Sequence, residues 1–147
     1  MSTSLAETQL RSLLDELAAA IRAKDVAQTL APYAAQTVMF VLDPPLQHKT
    51  ESDSSGEEGV AEWYDSWQGP IGYESRELAL SVGAEVAFAH QLLRFFGTRQ
   101  GGEAADYWVR ETLGFRYLDG RWQITHQHQS VPFYMDGSGR AALDLKP

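Results

Sequence analysis

Apolar residues recur at Leu10, Leu13, Leu14, Leu17 and Ile21, the spacing of one helix face. Ala18, Ala19 and Ala20 favour the same helix and let it pack closely. Ser4 and Glu7 stand at capping-box spacing at its start. Asp25 with Gln28 predicts a second, short helix that Pro32 limits. The β-branched and apolar run Thr37 to Leu42 predicts a strand, stopped by Asp43-Pro44-Pro45. Residues Gln47 to Gly56 are polar and predict a loop. Ser55 and Glu58 again have capping-box spacing, and Val60, Trp63, Tyr64 and Trp67 follow as one helical stripe that Gly69-Pro70 closes.

From Ile71 the period changes from helical to two. Strands are predicted near Tyr73–Ser81, Glu85–Thr98, Ala104–Tyr117 and Arg121–Phe133. Gly101-Gly102 marks one turn, and Asp119-Gly120 is the strongest hairpin signal in the chain. Helices first and a meander of long strands last make this an α+β chain rather than a parallel α/β one. With 147 residues, no linker and no repeat, it reads as one domain over 1–147.

Composition narrows the partners. The formal net charge of −8 repels phosphate backbones, so nucleic acid is not an expected partner. No apolar run is long enough for a membrane span, and Met1 to Ser4 shows no basic-then-apolar leader, so a cytoplasmic location is the expectation. With no cysteine there is no disulfide, no thiolate catalysis and no Cys-type zinc site. Asp53, Ser55 and Glu57 faintly echo a calcium loop, but the central glycine and terminal glutamate are misplaced.

The closing stretch, Trp122 to Phe133 (WQITHQHQSVPF), follows an Asp-Gly hairpin and is preceded by ETLGFRYLDGRW from Glu111. This Trp-x-Ile-x-His-x-His-x-Ser pattern resembles the end of SnoaL-like domains in the NTF2-like (nuclear transport factor 2-like) superfamily, which includes ketosteroid isomerases. It is also similar to the association domain of calcium/calmodulin-dependent kinase II. The resemblance extends over the order of helices and strands. It implies a cone: N-terminal helices packed in a strongly curved, mostly antiparallel sheet, one end open to a ligand, the outer sheet face joining a homodimer.

Alternation splits each strand into two faces. Tyr107, Val109, Glu111, Leu113, Phe115 and Tyr117 share one face; Trp108, Arg110, Thr112, Gly114 and Arg116 share the other. Strict alternation on the last strand sets Trp122, Ile124, His126, His128 and Ser130 against Gln123, Thr125, Gln127 and Gln129. The Tyr107-to-Tyr117 side is the more apolar and is the core side; the resemblance makes it the cavity side too. Gln91, Gln127 and Gln129 then look inward with Glu111, and Phe40, Trp63 and Trp67 join Tyr107 and Val109 as walls of a small-molecule pocket. The first reading of the aromatic stripe is core packing, and a ligand wall is the other. Glu111 is the candidate acid or base; its alternative is a structural pairing with an arginine.

The opposite side gathers His90, Arg94, Trp108, Arg110, His126 and His128. Tryptophan and arginine are enriched where subunits meet, which makes this the expected dimer interface. A metal held by His90, His126 and His128, or a histidine base, are the chemical alternatives. The resemblance to ketosteroid isomerases puts Leu17, Phe40 and Val109 where that mechanism needs a tyrosine, a carboxylate base and a protonated acid. All three are apolar, so only Asp43, after a local shift, would supply the base. The expected function is therefore binding of a small apolar molecule. Cofactor-independent isomerase, lyase or cyclase chemistry by proton transfer on a small carbonyl or cyclic compound accompanies it, with Glu111 or Asp43 catalytic. A non-catalytic binding or oligomerising domain is the alternative.

Overall fold

The computed structural model describes residues 2–50 and 55–147. Asp53, and with it the centre of the calcium-like spacing, lies outside the described residues. The elements run α1 (Thr3–Ala23), α2 (Val26–Leu30), β1 (Tyr33–Phe40), β2 (His48–Thr50), α3 (Ser55–Asp65), β3 (Trp67–Val82), β4 (Val86–Arg99), β5 (Ala104–Leu118) and β6 (Arg121–Ser130). The six strands form one curved, unclosed mixed sheet in the order β2-β1-β6-β5-β4-β3. All pairings are antiparallel except β1 with β6, which run parallel. No helix among the described residues is long and apolar enough to cross a membrane.

Helix α1 starts two residues earlier than the Ser4–Glu7 spacing suggested. Ser2 is its cap, accepting the Leu5 N–H at 3.1 Å, while Glu7 pairs with Arg11 one turn on. The helix ends at Lys24, whose left-handed backbone hands the chain to Asp25, the cap of α2 through the Gln28 N–H. Leu10, Leu14 and Leu17 then close onto Ala87, Ala89, Leu113, Phe115, Trp122 and Ile124 of the sheet. A second apolar cluster joins Tyr64, Trp67, Ile71, Tyr73, Leu93, Phe95 and Val109.

Three elements differ from the sequence expectation. Trp67 does not continue the α3 stripe: α3 stops at Asp65 and Trp67 opens β3, with Gly69-Pro70 inside that strand at a register shift. Part of the polar loop pairs with β1 as the short edge strand β2. The last strand is not strictly alternating. Phe115 pairs with Ile124 but Gly114 pairs with His126, so Thr125 is an extra residue, a β-bulge. Trp122 and Ile124 therefore face the core with Tyr117 and Phe115, and Gln123 turns to the outer side with Arg116. Beyond the bulge, His126 and His128 face out while Gln127 and Gln129 face in.

Candidate functional site

Along β5 the inward side chains pass from Val109, in one apolar cluster, through Glu111 to Leu113, in the other. On β4 the same step runs Leu93, Gln91, Ala89. The sheet thus places one polar layer between two apolar ones. Glu111 is only 4% exposed. Its Oε1 accepts the Gln91 Nε2–H at 2.8 Å, and its Oε2 accepts from Gln127 at 2.9 Å and Gln129 at 2.7 Å. Ser75 donates to Gln91 Oε1 at 2.6 Å, and the Tyr33 hydroxyl donates to Gln127 Oε1 at 3.1 Å.

Register explains the convergence. Gln91 and Gln129 both lie directly opposite Glu111, on β4 and β6, and Gln127 is two residues from Gln129 on the same side. The predicted arginine partner is not what holds Glu111. Among the described residues no arginine or lysine pairs with it, and Arg22 spends its guanidinium on the Tyr73 carbonyl at 2.8 and 3.2 Å. A buried carboxylate must be satisfied by charge or by hydrogen bonds, and here amides do it. The carboxylate has about four acceptor positions, so three amide donors leave one on Oε1.

Burial raises the pKa of both Tyr33 and Tyr73 well above the ordinary tyrosine value, and the nearby Glu111 charge adds to it. Both phenols therefore stay neutral donors beside the carboxylate. Tyr33, Tyr73 and Ser75 were missed in the sequence. Alternation along β3 carries a signal for the last two, since Tyr73 and Ser75 are two apart. Tyr33 precedes the segment recognisable as a strand.

Aromatic rings cluster beside the layer, edge-on or tilted to one another. Trp63 meets Tyr64, Phe95 and Trp67 at centroid distances of 5.4, 5.6 and 6.0 Å, and Phe95 meets Tyr73 at 5.5 Å and Tyr107 at 5.8 Å. Trp63, Trp67, Tyr107 and Val109 thus share one apolar cluster, as expected of walls and of core alike. Phe40 does not join them. It stands on the outer side, edge-on to His126 at 4.9 Å and His128 at 5.3 Å, because it pairs with His128 in the parallel ladder. Asp43 is not brought inward either: its side chain is 76% exposed and 4.0 Å from His48 at the strand end. The two prolines that follow it hold it in that turn.

On the outer face Arg94 donates to both oxygens of Asp106 at 2.8 Å and reaches Glu74 at 3.4 Å. The guanidinium holds the Asp106 carboxyl below its ordinary range. Arg76 lies over the Trp108 ring at 5.0 Å. Lys146 and Pro147 come back over this corner, enclosing about 220 Å³ with Arg76, Arg94 and Trp108. Arg110 donates to Ser130 at 3.1 Å, and His126 Nδ1 is 2.7 Å from the Val38 carbonyl. His90 and His128 both flank Thr112 from opposite strands, so Thr112 separates them. Among the described residues no three His, Asp or Glu are grouped to hold a metal ion. A separate groove of about 360 Å³, floored by Leu13, Leu17 and Trp122, opens between α1 and the β5–β6 turn; no sequence pattern marked it.

The family model of the SnoaL-like domain matches residues 10–134, and the chain belongs to that family. An NTF2-like protein of unknown function from Pseudomonas putida KT2440 is similar over 100% of this chain and 99% of its own, at 31% identity and a TM-score of 0.87. An NTF2-like superfamily protein from Salmonella enterica shares the fold at 16% identity and a TM-score of 0.74, over 94% of this chain and 99% of its own. The association domain of the C. elegans calcium/calmodulin-dependent kinase II shares it at 17% identity and a TM-score of 0.65, over 87% and 97%. No curated protein matches the chain in sequence.

Proposed function

We propose that this SnoaL-like domain binds a small, largely apolar molecule beside the aromatic cluster and exchanges a proton with it through Glu111. The observation that carries this is the buried Glu111 carboxylate, held by three amide N–H groups and, among the described residues, no cation, with one acceptor position left on Oε1. A carboxylate kept in place by neutral donors is positioned without being neutralised by an ion pair, which suits a base for a carbon acid next to a carbonyl. Gln91, Gln127 and Gln129 orient the carboxylate, and Trp63, Trp67, Tyr107 and Val109 supply the apolar contact. The step needs no cofactor: a C–H bond of the ligand gives its proton to Glu111, the electron pair passes into the carbonyl system, and the proton returns.

Exchange of α-hydrogen for deuterium reports this step whatever the final product is. A panel of small cyclic ketones in D2O, followed by proton NMR, should show catalysed exchange with the wild type and none with Glu111→Gln. Quenching of Trp63 and Trp67 fluorescence should show that both proteins still bind. Equal exchange by the two proteins sinks the catalytic role.

A second reading is favoured by the closure of the network from Ser75 to Tyr33, in which each glutamine oxygen named is already occupied. In that reading the domain binds without turnover, and binding with no exchange by the wild type supports it. We also propose that two copies pair through the outer sheet face, supported by Trp108 and Arg110 there and by Phe88, which is 49% exposed on the same side.

A further inference from the structure

The chain is acidic, yet its outer sheet face is not. Alternation and register place His90 on β4, Arg110 and Arg116 on β5, and His126 and His128 on β6 side by side on that face. Glu74 and Asp106 sit at one edge and are engaged by Arg76 and Arg94. Among the described residues neither Arg110, Arg116 nor any of the three histidines has an ion-pair partner. Three of the four histidines of the chain are thus collected on one side of one sheet.

Among the described residues no ion pair holds any of these imidazoles; from β3, Ala79 lies opposite His90, and Glu77 sits in the register shift two residues before Ala79. From β1, Val38 and Phe40 face them: a carbonyl that takes His126 Nδ1–H, and a ring edge-on to both. From β2, Lys49 lies opposite Val38 and adds a cation. From β5, Thr112 and Gly114 separate the imidazole rows, flanked by Arg110 and Arg116. From β4, His90 stacks with Phe88 at 6.5 Å. His126 Nδ1 is thus committed to the Val38 carbonyl, which leaves Nε2 as its other ring nitrogen.

We infer that the outer face pairs with a second copy only while its imidazoles are neutral, so that the pair parts on mild acidification. This rests on the homodimer reading above. In a two-fold pairing the same patch meets itself. Neutral imidazoles and Phe40 and Phe88 can pack there with Trp108. Six imidazolium groups, added to the arginines already present, set like charge against like charge in a partly desolvated interface. The direction is diagnostic. Acidification lowers the overall negative charge of this chain, which alone favours association.

The test is the mass of the full chain in solution by light scattering and sedimentation, at about pH 8 and about pH 5.5, with circular dichroism to show the fold is kept. The wild type should be a dimer at the higher pH and weaken by roughly tenfold or more at the lower. The His90→Gln, His126→Gln, His128→Gln triple variant should stay dimeric at both. A monomer at the higher pH means the homodimer reading has failed and takes the gate with it. A wild-type dimer unchanged by pH leaves the dimer standing and overturns the gate. So does a triple variant that still parts on acidification, or a wild type that loses its fold there. If the triple variant does not assemble at the higher pH, His90→Gln and His128→Gln alone decide. Each should lower the pH midpoint of dissociation, and an unmoved midpoint overturns the inference.

Discussion

Ile124 lies opposite Phe115, whereas His126, two residues on, lies opposite Gly114. Three residues of β6 thus span two of β5, and the strand changes sides at Thr125. Everything about the two faces follows from that single extra residue: an indole and an isoleucine in the core before it, two glutamines in the polar layer and two imidazoles outside after it.

Ile124→Ala should therefore cost about 2–5 kcal/mol, the range for truncating a fully buried aliphatic side chain. His128→Ala, on the other side of the bulge and exposed, should stay within about 0.5 kcal/mol. Urea denaturation of both variants checks the contrast. Similar losses from the two would mean the strand alternates without interruption.

Glu111→Gln replaces one acceptor oxygen with a donor that faces another donor: Gln91 in the Oε1 place, or Gln127 and Gln129 in the Oε2 place. If Gln127 turned over, the Tyr33 hydroxyl would have to accept from it instead of donating to it. A loss of about 1–3 kcal/mol is expected, the cost of leaving a buried polar group unmatched. Glu111→Leu leaves three amide donors with no acceptor and should be worse. Thermal or urea unfolding ranks them; Leu at least as stable as Gln would mean the amides find other partners.

Stability should fall at alkaline pH. Tyr33 and Tyr73 have pKa values raised by burial, so they bind their protons above the pH at which an unfolded tyrosine, near 10.0, releases them. Where the native state holds more protons than the unfolded one, stability declines as pH rises. The contribution is intact below about pH 10 and is lost above it. Absorbance near the phenolate band should show Tyr33 and Tyr73 ionising only with unfolding, with Tyr64 and Tyr107, also raised by burial, delayed as well. Smooth ionisation of all six in the folded protein would contradict the burial.

Gly120 has φ of 79° and Asp119 φ of 53°, the pair of left-handed residues of the hairpin between β5 and β6. Gly120→Ala should cost about 1–2 kcal/mol, because a Cβ penalises that backbone conformation even though it meets nothing within 4 Å. No loss in urea denaturation would show that the turn relaxes freely.

Trp108→Ala and Arg110→Ala probe the proposed pairing. Each should shift the dimer toward monomer in light scattering while leaving circular dichroism unchanged, since neither side chain belongs to either apolar cluster. An unchanged dimer would remove the outer face as the contact.

Long, uninterrupted alternation made β4 and β5 readable, and with them the inward set Gln91, Val109 and Glu111. The Asp119-Gly120 turn was readable because only a few residue types tolerate its backbone. The bulge was not, since no residue type marks an ordinary bulge. Its trace is a conflict: strict alternation left Trp122 and Ile124 on a face otherwise occupied by histidines and serine. Phe40 was misplaced because the resemblance set it at a cavity position, and parallel register with β6 cannot be inferred locally. Trp67 prolonged a helical stripe by chance of spacing, although Asp65-Ser66 ends the helix before it. The amide cage of Glu111 was half visible. Parity brought the glutamines to the same side, but which groups would pair with the carboxylate depends on register between three strands.

The strand that forms first on the ribosome has its main partner at the far end of the chain. Tyr33 to Phe40 cannot complete its parallel ladder until Arg121 to Ser130 has emerged. For most of synthesis β1 keeps an open edge that any extended segment nearby can occupy. Such distant pairing slows folding and leaves nascent copies prone to stick to one another.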